Sequence, residues 1–242
     1  MRTKATACLI LFAAATLSAQ SPAPQSSGYI KPPQPIVDIM TAEPLPTAVV
    51  SPQKDVIALL SRSSMLPIAD VAQPMLRLAG LRINPRTNGP HMTSATTGLT
   101  FRAVAGGAEP KVAVPANARL GGFSFSPDGK RFTFTNTRDT GIDLYVGDVA
   151  TAQARIVPGG AINGLTGSCA WLDDSSGLVC GFVPAGRGAP PAEPKVPSGP
   201  NVQENSGKPG PVSTFQDLLQ SAHDEDLFEY YVQNQVTIVD AA

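Results

Sequence analysis

The sequence is poor in charged residues and in aromatic rings. Of its 242 residues, 15% are charged and 6% are aromatic, whereas about 25% of a typical soluble domain is charged. So few charges exclude a coiled coil, a helical repeat and a charge-driven disordered chain. The net charge of −1 leaves no basic surface for nucleic acid or anionic lipid. We therefore expect no nucleic-acid partner.

The motifs of the common enzyme classes are also missing. The sequence has no Gly-x-Ser-x-Gly nucleophile elbow, no phosphate-binding loop and no dinucleotide fingerprint. Its histidines, His91 and His223, and its three cysteines lack the spacing of a metal site. The acidic residues after His223 suit the positive end of a helix better than a catalytic site. The sequence thus predicts no catalytic residue, no metal and no cofactor, and it identifies no substrate-binding residue.

The longest apolar run lies near the start of the chain, over residues 5–17, and is too short to span a bilayer. Arg2 and Lys4 precede it, and a small-residue cleavage site follows at Ala19 and Gln20. This pattern predicts a signal peptide over residues 1–19, with a buried helix as the alternative. We expect export to the periplasm or the extracellular space, without a membrane span.

Proline and glycine are abundant, with 24 and 22 residues, and indicate a chain rich in turns. Residues 20–47 form a Pro-rich leader. After it, apolar residues alternate on both sides of a turn in three segments, which predicts hairpins with one buried face. The segments are AVVSPQKDVIALL (48–60), FSFSPDGKRFTFT (123–135) and CAWLDDSSGLVCG (169–181). Aligned on the turn, Ile57, Phe132 and Leu178 occupy one position.

A second pattern keeps the same period. The segment LYVGDVA (144–150) resembles VTIVDAA (236–242) and, more weakly, LTFRAVA (99–105). A period of about 45 residues is typical of β-propeller blades, whereas strands of a β-sandwich, the alternative, recur every 8–12 residues. We predict an all-β partial propeller over residues 48–242, with three complete hairpins and the beginning of a fourth unit. It forms an open arc of roughly four blades, some of them incomplete.

Two insertions with short helices interrupt the repeat, at about residues 65–90 and 184–231. In the first, a helix is predicted from Ile68 to Leu76, broken at Pro74. In the second, Asp224 is expected to cap a helix that carries apolar and tyrosine side chains over residues 227–231.

The insertions carry a family resemblance. The segment LAGLRINPRTNGP (78–90) is similar to the N-terminal region of the prolyl oligopeptidase family of serine peptidases, in its glutamyl endopeptidase-like branch. Three further pieces match that branch: YIKPPQPIVDIMTAEPLP (29–46), GRGAPPAEPKVPSGPNVQENSGKPGPV (186–212) and TFQDLLQSAHDEDLFEYY (214–231). The resemblance implies a propeller packed against a C-terminal α/β-hydrolase domain that carries a serine–aspartate–histidine triad.

The same resemblance implies a gating role for this chain. In the family the propeller restricts access to the serine, so that short peptides are cleaved. No position here matches the triad, so the peptide substrate would bind through the hydrolase domain, which these 242 residues lack. The alternative is a stand-alone exported propeller that binds a protein partner, as TolB-like propellers do. Peptide specificity and oligomeric state stay open.

Cys169 and Cys180 are the two cysteines that remain after the predicted cleavage. A hairpin centred between Asp174 and Ser175 places them directly opposite each other, and export provides an oxidising compartment. A disulfide between Cys169 and Cys180 is therefore possible. The alternative is two small core residues with free thiols.

Overall fold

A computed structural model describes residues 30–91, 96–167, 169–196, 207 and 217–241. The predicted signal peptide, its cleavage site at Ala19 and Gln20, and residues 20–29 of the leader lie outside these residues. The chain divides into two compact units, residues 1–39 and 40–242. The described part of the first unit, residues 30–39, contains the beginning of helix α1 (Gln34–Thr41). The sequence analysis does not predict this helix.

The described part of residues 40–242 is mostly β, with two further short helices, α2 (Ile68–Val71) and α3 (Ala222–Val232). The strands are β1 (Thr47–Val50), β2 (Val56–Arg62), β3 (Leu76–Leu78), β4 (Leu81–Asn84), β5 (Gly89–Pro90), β6 (Thr96–Ala103), β7 (Leu120–Phe125), β8 (Arg131–Arg138), β9 (Gly141–Asp148), β10 (Gln153–Ile156), β11 (Ala170–Trp171), β12 (Gly177–Phe182) and β13 (Gln235–Asp240). None of the helices in this part of the chain has the length and apolar character that crossing a bilayer requires.

The strands group into three antiparallel repeats. Repeat 1 is β1-β2-β6, repeat 2 is β7-β8-β9-β10 and repeat 3 is β11-β12-β13. Strands β6 and β7 meet only at Thr96 and Leu120, which joins repeats 1 and 2 into one seven-stranded sheet. Over the residues that the structure describes, the sheets do not close into a ring.

The three repeats share one register. In each, the second strand pairs with its two neighbours at equivalent positions: Val50–Ile57–Arg102, Phe125–Phe132–Gly147 and Trp171–Leu178–Val239. This pairing confirms the predicted alignment of both sequence patterns. It corrects one assignment, because the segment at 236–242, expected to open a fourth unit, supplies β13 and belongs to repeat 3. The number of blades stays a prediction.

The hairpin turns adopt the left-handed backbone conformation at one shared position. Lys54, Gly129 and Ser175 have φ values of 61°, 71° and 60°. Only at Gly129 does the residue type suit this conformation, which costs other residues about 1–2 kcal/mol. A methyl group at Gly129 would also collide with the side chain of Gln53. The turns of repeats 1 and 2 therefore lie against each other.

Two hydrophobic cores fill the space between consecutive repeats. The first inter-repeat core joins repeats 1 and 2 through Ala58, Leu60, Leu99, Phe101, Leu120, Phe132 and Phe134. The second inter-repeat core joins repeats 2 and 3 through Ile142, Leu144, Val146, Leu178, Cys180 and Phe182. Each repeat thus buries its sheet face against the next repeat along the chain.

The insertions differ from their predicted structure in detail. The helix predicted up to Leu76 ends at Val71, and β3 to β5 form a separate three-stranded sheet. In the second insertion the N-cap of α3 is Ser221, not Asp224, because the Ser221 hydroxyl accepts the Asp224 backbone N–H at 3.1 Å. The Asp224 carboxylate instead accepts the backbone N–H of Gln220 at 2.8 Å.

Candidate functional site

The connections between strands lie at two opposite ends of the sheets. Because neighbouring strands run antiparallel, successive connections alternate between the two ends. The hairpin turns at Lys54, Gly129 and Ser175 lie at one end, called the turn end. The β2–β6 insertion, the β8–β9 turn and the β12–β13 insertion lie at the other, called the insertion end. The described parts of both insertions therefore lie at the same end of the sheets.

A cleft of about 990 Å³ opens at the insertion end. Its walls come from the start of the first insertion, the β6–β7 connection and the β8–β9 turn. Five charged side chains line it: Asp70, Arg119, Arg138, Asp139 and Asp143. With three carboxylates against two guanidinium groups, the cleft is weakly acidic.

Arg119 occupies the centre of the cleft wall. Its Nη1 donates to Asp70 Oδ1 at 2.7 Å and its Nη2 to Asp139 Oδ1 at 2.9 Å. Its Nε donates to the Thr137 carbonyl oxygen at 2.9 Å. Since the side chains of Arg119 and Asp70 are only 24% and 23% exposed, their charge-assisted bond is stronger than an ordinary surface pair, whereas the bond to Asp139 ends on an exposed carboxylate. Arg119 fixes helix α2 of the first insertion against the β8–β9 turn of repeat 2.

Arg138 and Asp143 form the second ion pair, with Arg138 Nε 2.6 Å from Asp143 Oδ2. The hydrogen bond to this carboxylate, and then its charge, raise the pKa of Arg138 above its ordinary value. Both arginines are therefore held by carboxylates of the protein. Serine and threonine hydroxyls also line the cleft, but its lining includes no histidine that would activate them. The arrangement offers paired charges and hydroxyl groups that can form hydrogen bonds with a polar ligand.

A second polar group, called the Arg187 network, also lies at the insertion end. Arg187 Nη1 donates to Asn88 Oδ1 at 2.7 Å and to the Tyr230 carbonyl oxygen at 2.8 Å. Its guanidinium also stacks 3.9 Å from the centre of the Tyr230 ring, a cation–π contact. The network joins the start of the second insertion to its helix α3 and to the first insertion.

Two buried asparagines complete the Arg187 network. The Asn88 amide donates to the Tyr231 carbonyl oxygen at 3.0 Å. Asn163, with no exposed surface, donates to the carbonyl oxygens of Tyr231 at 2.9 Å and Gln233 at 3.0 Å. These amides satisfy carbonyls at the end of α3, which lack partners inside the helix. Burial raises the pKa of Tyr231 above its ordinary value.

An apolar cluster lies next to the Arg187 network and shares Tyr231 with it. Leu78 and Ile83 of the first insertion pack with Tyr231 of α3. Arg77 and Arg82 lie 3.7 and 3.6 Å from the carboxylate of Asp217. In the described residues, the two insertions are thus joined by apolar, ionic and hydrogen-bonded contacts.

The two histidines considered in the sequence have different environments. His91 is buried, and its Nε2 lies 2.9 Å from the Gln73 carbonyl oxygen. His223 lies in the first turn of α3 beside two acidic residues. No group of three potential metal ligands occurs in the described ranges.

Cys169 and Cys180 come together on the β11–β12 hairpin. Their sulfurs are bonded and their Cα atoms are 4.3 Å apart. The register Ala170↔Val179 is the one that the hairpin alignment predicts. That this bond forms in the exported protein stays a prediction.

Sequence reasoning missed the central residues of both polar groups. Arg119 and Asn163 belong to no motif, and Arg187 lies in a segment quoted above only for its family resemblance; the partners of all three lie at irregular distances along the chain. The one local signal is at Arg187, an isolated charge between two glycines, Gly186 and Gly188.

Comparison with known proteins gives two sequence relatives and a set of weakly similar folds. No family model matches the chain. The chain is 37% identical over 227 residues to a protein of Oryza sativa subsp. japonica named probable glutamyl endopeptidase, chloroplastic, covering 87% of this chain and 24% of that relative. The Arabidopsis thaliana protein of the same name is 35% identical over 242 residues, covering 94% and 25%. This chain spans about a quarter of the length of both relatives.

The solved structure of the β-propeller domain of the Trilobed protease from Pyrococcus furiosus resembles part of the chain. The TM-score is 0.34 at 13% identity, over 57% of this chain and 35% of that structure.

Proposed function

We propose that this chain is the N-terminal, substrate-gating portion of a secreted serine peptidase of the prolyl oligopeptidase family. The proposal starts from its similarity to about a quarter of the length of the two proteins named probable glutamyl endopeptidase. The relationship itself confirms the resemblance seen in the sequence. The observation that carries the proposal is 35–37% identity across 87–94% of the chain. Likeness over so much of the chain includes both insertions, whose sequences do not belong to the repeat.

The three repeats are proposed as blades of a β-propeller. Their common register and the two inter-repeat cores support this assignment, because blades pack face to face in the order of the chain. The described strands then form an open part of the ring. The catalytic serine, with its aspartate and histidine, would lie on an α/β-hydrolase domain outside these 242 residues.

The gate is assigned to the insertion end. Both insertions lie there, joined by the Arg187 network, and the cleft around Arg119 opens beside them. Its paired charges and hydroxyls offer hydrogen bonds to an extended peptide, while the packed insertions obstruct a folded protein. The chemistry of peptide cleavage, formation and hydrolysis of an acyl-enzyme on serine, would be supplied by the hydrolase domain.

One experiment tests this assignment. The DNA that follows codon 242 is read for a segment with Gly-x-Ser-x-Gly, and the encoded protein is compared with the 242-residue chain on peptides containing glutamate. The longer protein should cleave these peptides and react with a serine-directed phosphonate, whereas the 242-residue chain should do neither. Turnover by the purified 242-residue chain, or a gene without a hydrolase segment, would contradict the proposal. The second result would favour a stand-alone binding propeller.

Export is part of the same proposal. The mature N-terminus should be Gln20, which N-terminal sequencing of protein recovered outside the cytoplasm would establish. Recovery of the intact N-terminus in the cytoplasm alone would argue against secretion.

A further inference from the structure

The two arginines of the cleft differ in how much of each guanidinium group is used. Arg119 has partners on all of its side-chain nitrogens, namely two carboxylates and a carbonyl oxygen. Arg138 bonds only through Nε, which donates to Asp143 Oδ2 at 2.6 Å. Within the residues that the structure describes, Nη1 and Nη2 of Arg138 have no hydrogen-bond partner. Since the Arg138 side chain is 51% exposed, against 24% for Arg119, this edge of its guanidinium is open to the cleft.

Strand β8 places Arg138 at the mouth of the cleft. Side chains two residues apart on a strand share a face, so Arg138 lies on the same face as Phe132 and Phe134. The two phenylalanines belong to the first inter-repeat core, whereas Arg138, the last residue of β8, lines the cleft. Gly141 pairs with Arg138 across the hairpin, and a Cβ atom at Gly141 would lie 3.4 Å from Arg138 Nη2. A larger residue at position 141 would therefore cover the guanidinium that glycine leaves exposed.

Arg119 shows how a guanidinium in this cleft holds two carboxylates. Its Nη1 and Nη2 lie 2.7 and 2.9 Å from the carboxylates of Asp70 and Asp139. Arg138 holds one carboxylate, that of Asp143, on Nε, and the planar fork of its Nη atoms matches the two oxygens of another. Because the Asp143 side chain is only 11% exposed, it also fixes the guanidinium, which lowers the entropy lost when a ligand binds.

We propose that Arg138 binds a carboxylate side chain of the substrate peptide in this cleft, with the carboxylate bridging Nη1 and Nη2. The cleft thereby selects acidic peptides, a preference that rests on the proposed function for the peptide itself. Neighbouring residues of the peptide would contact the apolar part of the lining, which includes Met65, Leu66, Pro67, Pro115 and Ala116.

The charge of Asp139 limits the strength of this preference. Asp139 follows Arg138 in the chain and its side chain is 79% exposed, so its carboxylate repels an acidic ligand through solvent. That repulsion is weak and screened by salt, whereas the bonds to Nη1 and Nη2 are direct. Asp139→Asn should therefore tighten the binding of an acidic peptide by about two- to five-fold. Weaker binding by this variant would mean that the ligand contributes a positive group, and would overturn the proposal.

Binding of two labelled peptides to the 242-residue chain tests the site. The peptides differ only in a central residue, glutamate or glutamine, and fluorescence polarisation gives both dissociation constants. The wild type should bind the glutamate peptide about ten-fold more tightly, the usual strength of a hydrogen bond between charged groups. Arg138→Gln should abolish this preference, and Arg138→Lys, which keeps the charge without the fork, should retain only part of it. Equal binding of the two peptides, binding of neither, or a preference that survives in Arg138→Gln overturns the proposal.

Arg102→Gln is the matched control for net charge. The Arg102 side chain is 57% exposed and pairs with Glu109 at 3.4 Å, and among the described residues it lies outside the cleft lining. This variant should keep the preference, and an equal loss in Arg102→Gln would show that net charge selects the peptide and would overturn the proposal. Because Arg138→Gln leaves the Asp143 carboxylate without its partner, Arg138→Gln/Asp143→Asn is made as well. It should fold normally by circular dichroism and still lack the preference, and a preference regained in this variant overturns the role of Arg138.

Cleavage kinetics separate this inference from the proposed function. In the longer protein encoded by the gene, Arg138→Gln should raise KM for the glutamate peptide about ten-fold and act on KM rather than on kcat, because the contact is already made in the bound substrate. A peptidase that keeps its glutamate preference in Arg138→Gln would overturn the inference and leave the proposed function intact. A gene product that cleaves no peptide would contradict the proposed function, while the binding experiment would still decide whether Arg138 binds acidic peptides.

Discussion

The two inter-repeat cores use the same strand positions but different side chains. In the first core, Phe132 and Phe134 of repeat 2 pack with Phe101 of repeat 1. In the second, Leu178 and Cys180 of repeat 3 hold the corresponding positions. What recurs in this molecule is therefore the register, whereas the residues at the shared positions differ between the two cores.

The smaller side chains of the second core are accompanied by other stabilising contacts. A bond joins Cys180 to Cys169 within the hairpin. Trp171 Nε1 also donates to the Ser124 hydroxyl of repeat 2 at 3.2 Å. Aromatic rings bury more apolar area than leucine or cysteine and add about 0.5–1.5 kcal/mol per well-arranged pair. The first core should thus rely mainly on aromatic packing, and the second on packing with covalent and polar support.

Truncation of the shared register position should have the largest effect. Phe132 and Leu178 are both fully buried, so Phe132→Ala should lower the free energy of unfolding by about 3–5 kcal/mol and Leu178→Ala by about 2–4 kcal/mol. Ile57→Ala, at the same position of repeat 1, where the side chain is only partly buried, should cost about 1 kcal/mol or less. Urea unfolding measures all three variants. An equal loss for Ile57→Ala and Phe132→Ala would show that the difference in burial between the two positions does not determine their contribution to stability.

Removal of the cysteine pair should weaken only the second core. The double variant Cys169→Ala/Cys180→Ala should lose about 2–3 kcal/mol, because the bond restricts the unfolded chain. Unfolding of Phe132→Ala should respond to reductant in the same way as that of the wild type, since its defect lies in the other core. Mass analysis after alkylation without reductant provides the check. Two added alkyl groups on Cys169 and Cys180 would show that the thiols are free and that the second core is held by packing alone.

Asn163 connects the second core to the insertion end. Its neighbour Ile162 belongs to that core, while its amide donates to the carbonyl oxygens of Tyr231 and Gln233. Asn163→Asp keeps the size but removes the amide donor, and should cost about 1–3 kcal/mol by leaving buried carbonyls unpaired. Hydrogen exchange should rise in α3 more than in β8. A uniform rise in both would indicate that the network does not act locally on the insertion.

The repeats were predictable from the sequence because their signals are local. Alternation of apolar residues beside a turn determines which residues pair, and the pairs of Ile57, Phe132 and Leu178 confirm it. Strands β3 and β4 do alternate apolar and polar residues, but they are only three and four residues long, and β5 has two residues, so the signal is short and was missed. The Arg187 network was not predictable from the sequence for another reason. Arg187 and Asn88 are 99 residues apart in the chain, and no periodicity connects them.

The turn end offers a smaller version of the same comparison. Between repeats 2 and 3, the buried Ser175 hydroxyl accepts the Asp128 backbone N–H at 3.1 Å. Between repeats 1 and 2, the exposed Gln53 amide donates to the Pro127 carbonyl oxygen at 3.3 Å. Ser175→Ala should cost about 1 kcal/mol and Gln53→Ala less than about 0.5 kcal/mol. Thermal or urea unfolding of the two variants measures the difference. A larger loss of unfolding free energy for Gln53→Ala would show that the contact between repeats 1 and 2 is the stronger of the two.

The smallest expected effect is a pH dependence at Asp128, which lies at the turn between the two interfaces. The Ser126 hydroxyl donates to its carboxylate at 2.6 Å and the Lys130 backbone N–H at 3.1 Å. These hydrogen bonds, the one from Ser126 first, lower the pKa of Asp128 from its ordinary value of 3.8. Because the folded pKa is the lower one, the stabilisation is present above the unfolded pKa and is lost as the pH falls through the folded pKa.

The variant Asp128→Asn isolates this contribution. Since Asp128 is exposed, screening by solvent leaves a contribution of only a few tenths of a kcal/mol. The wild type should be more stable than Asp128→Asn by that amount at neutral pH, and the difference should shrink below about pH 4. Urea unfolding at closely spaced pH values measures it, with Ser126→Ala expected to reduce the same pH-dependent part. If the difference in stability between wild type and Asp128→Asn increased on acidification, the protonated carboxyl would be the form that stabilises the turn. The two hydrogen bonds donated to the Asp128 carboxylate predict the opposite.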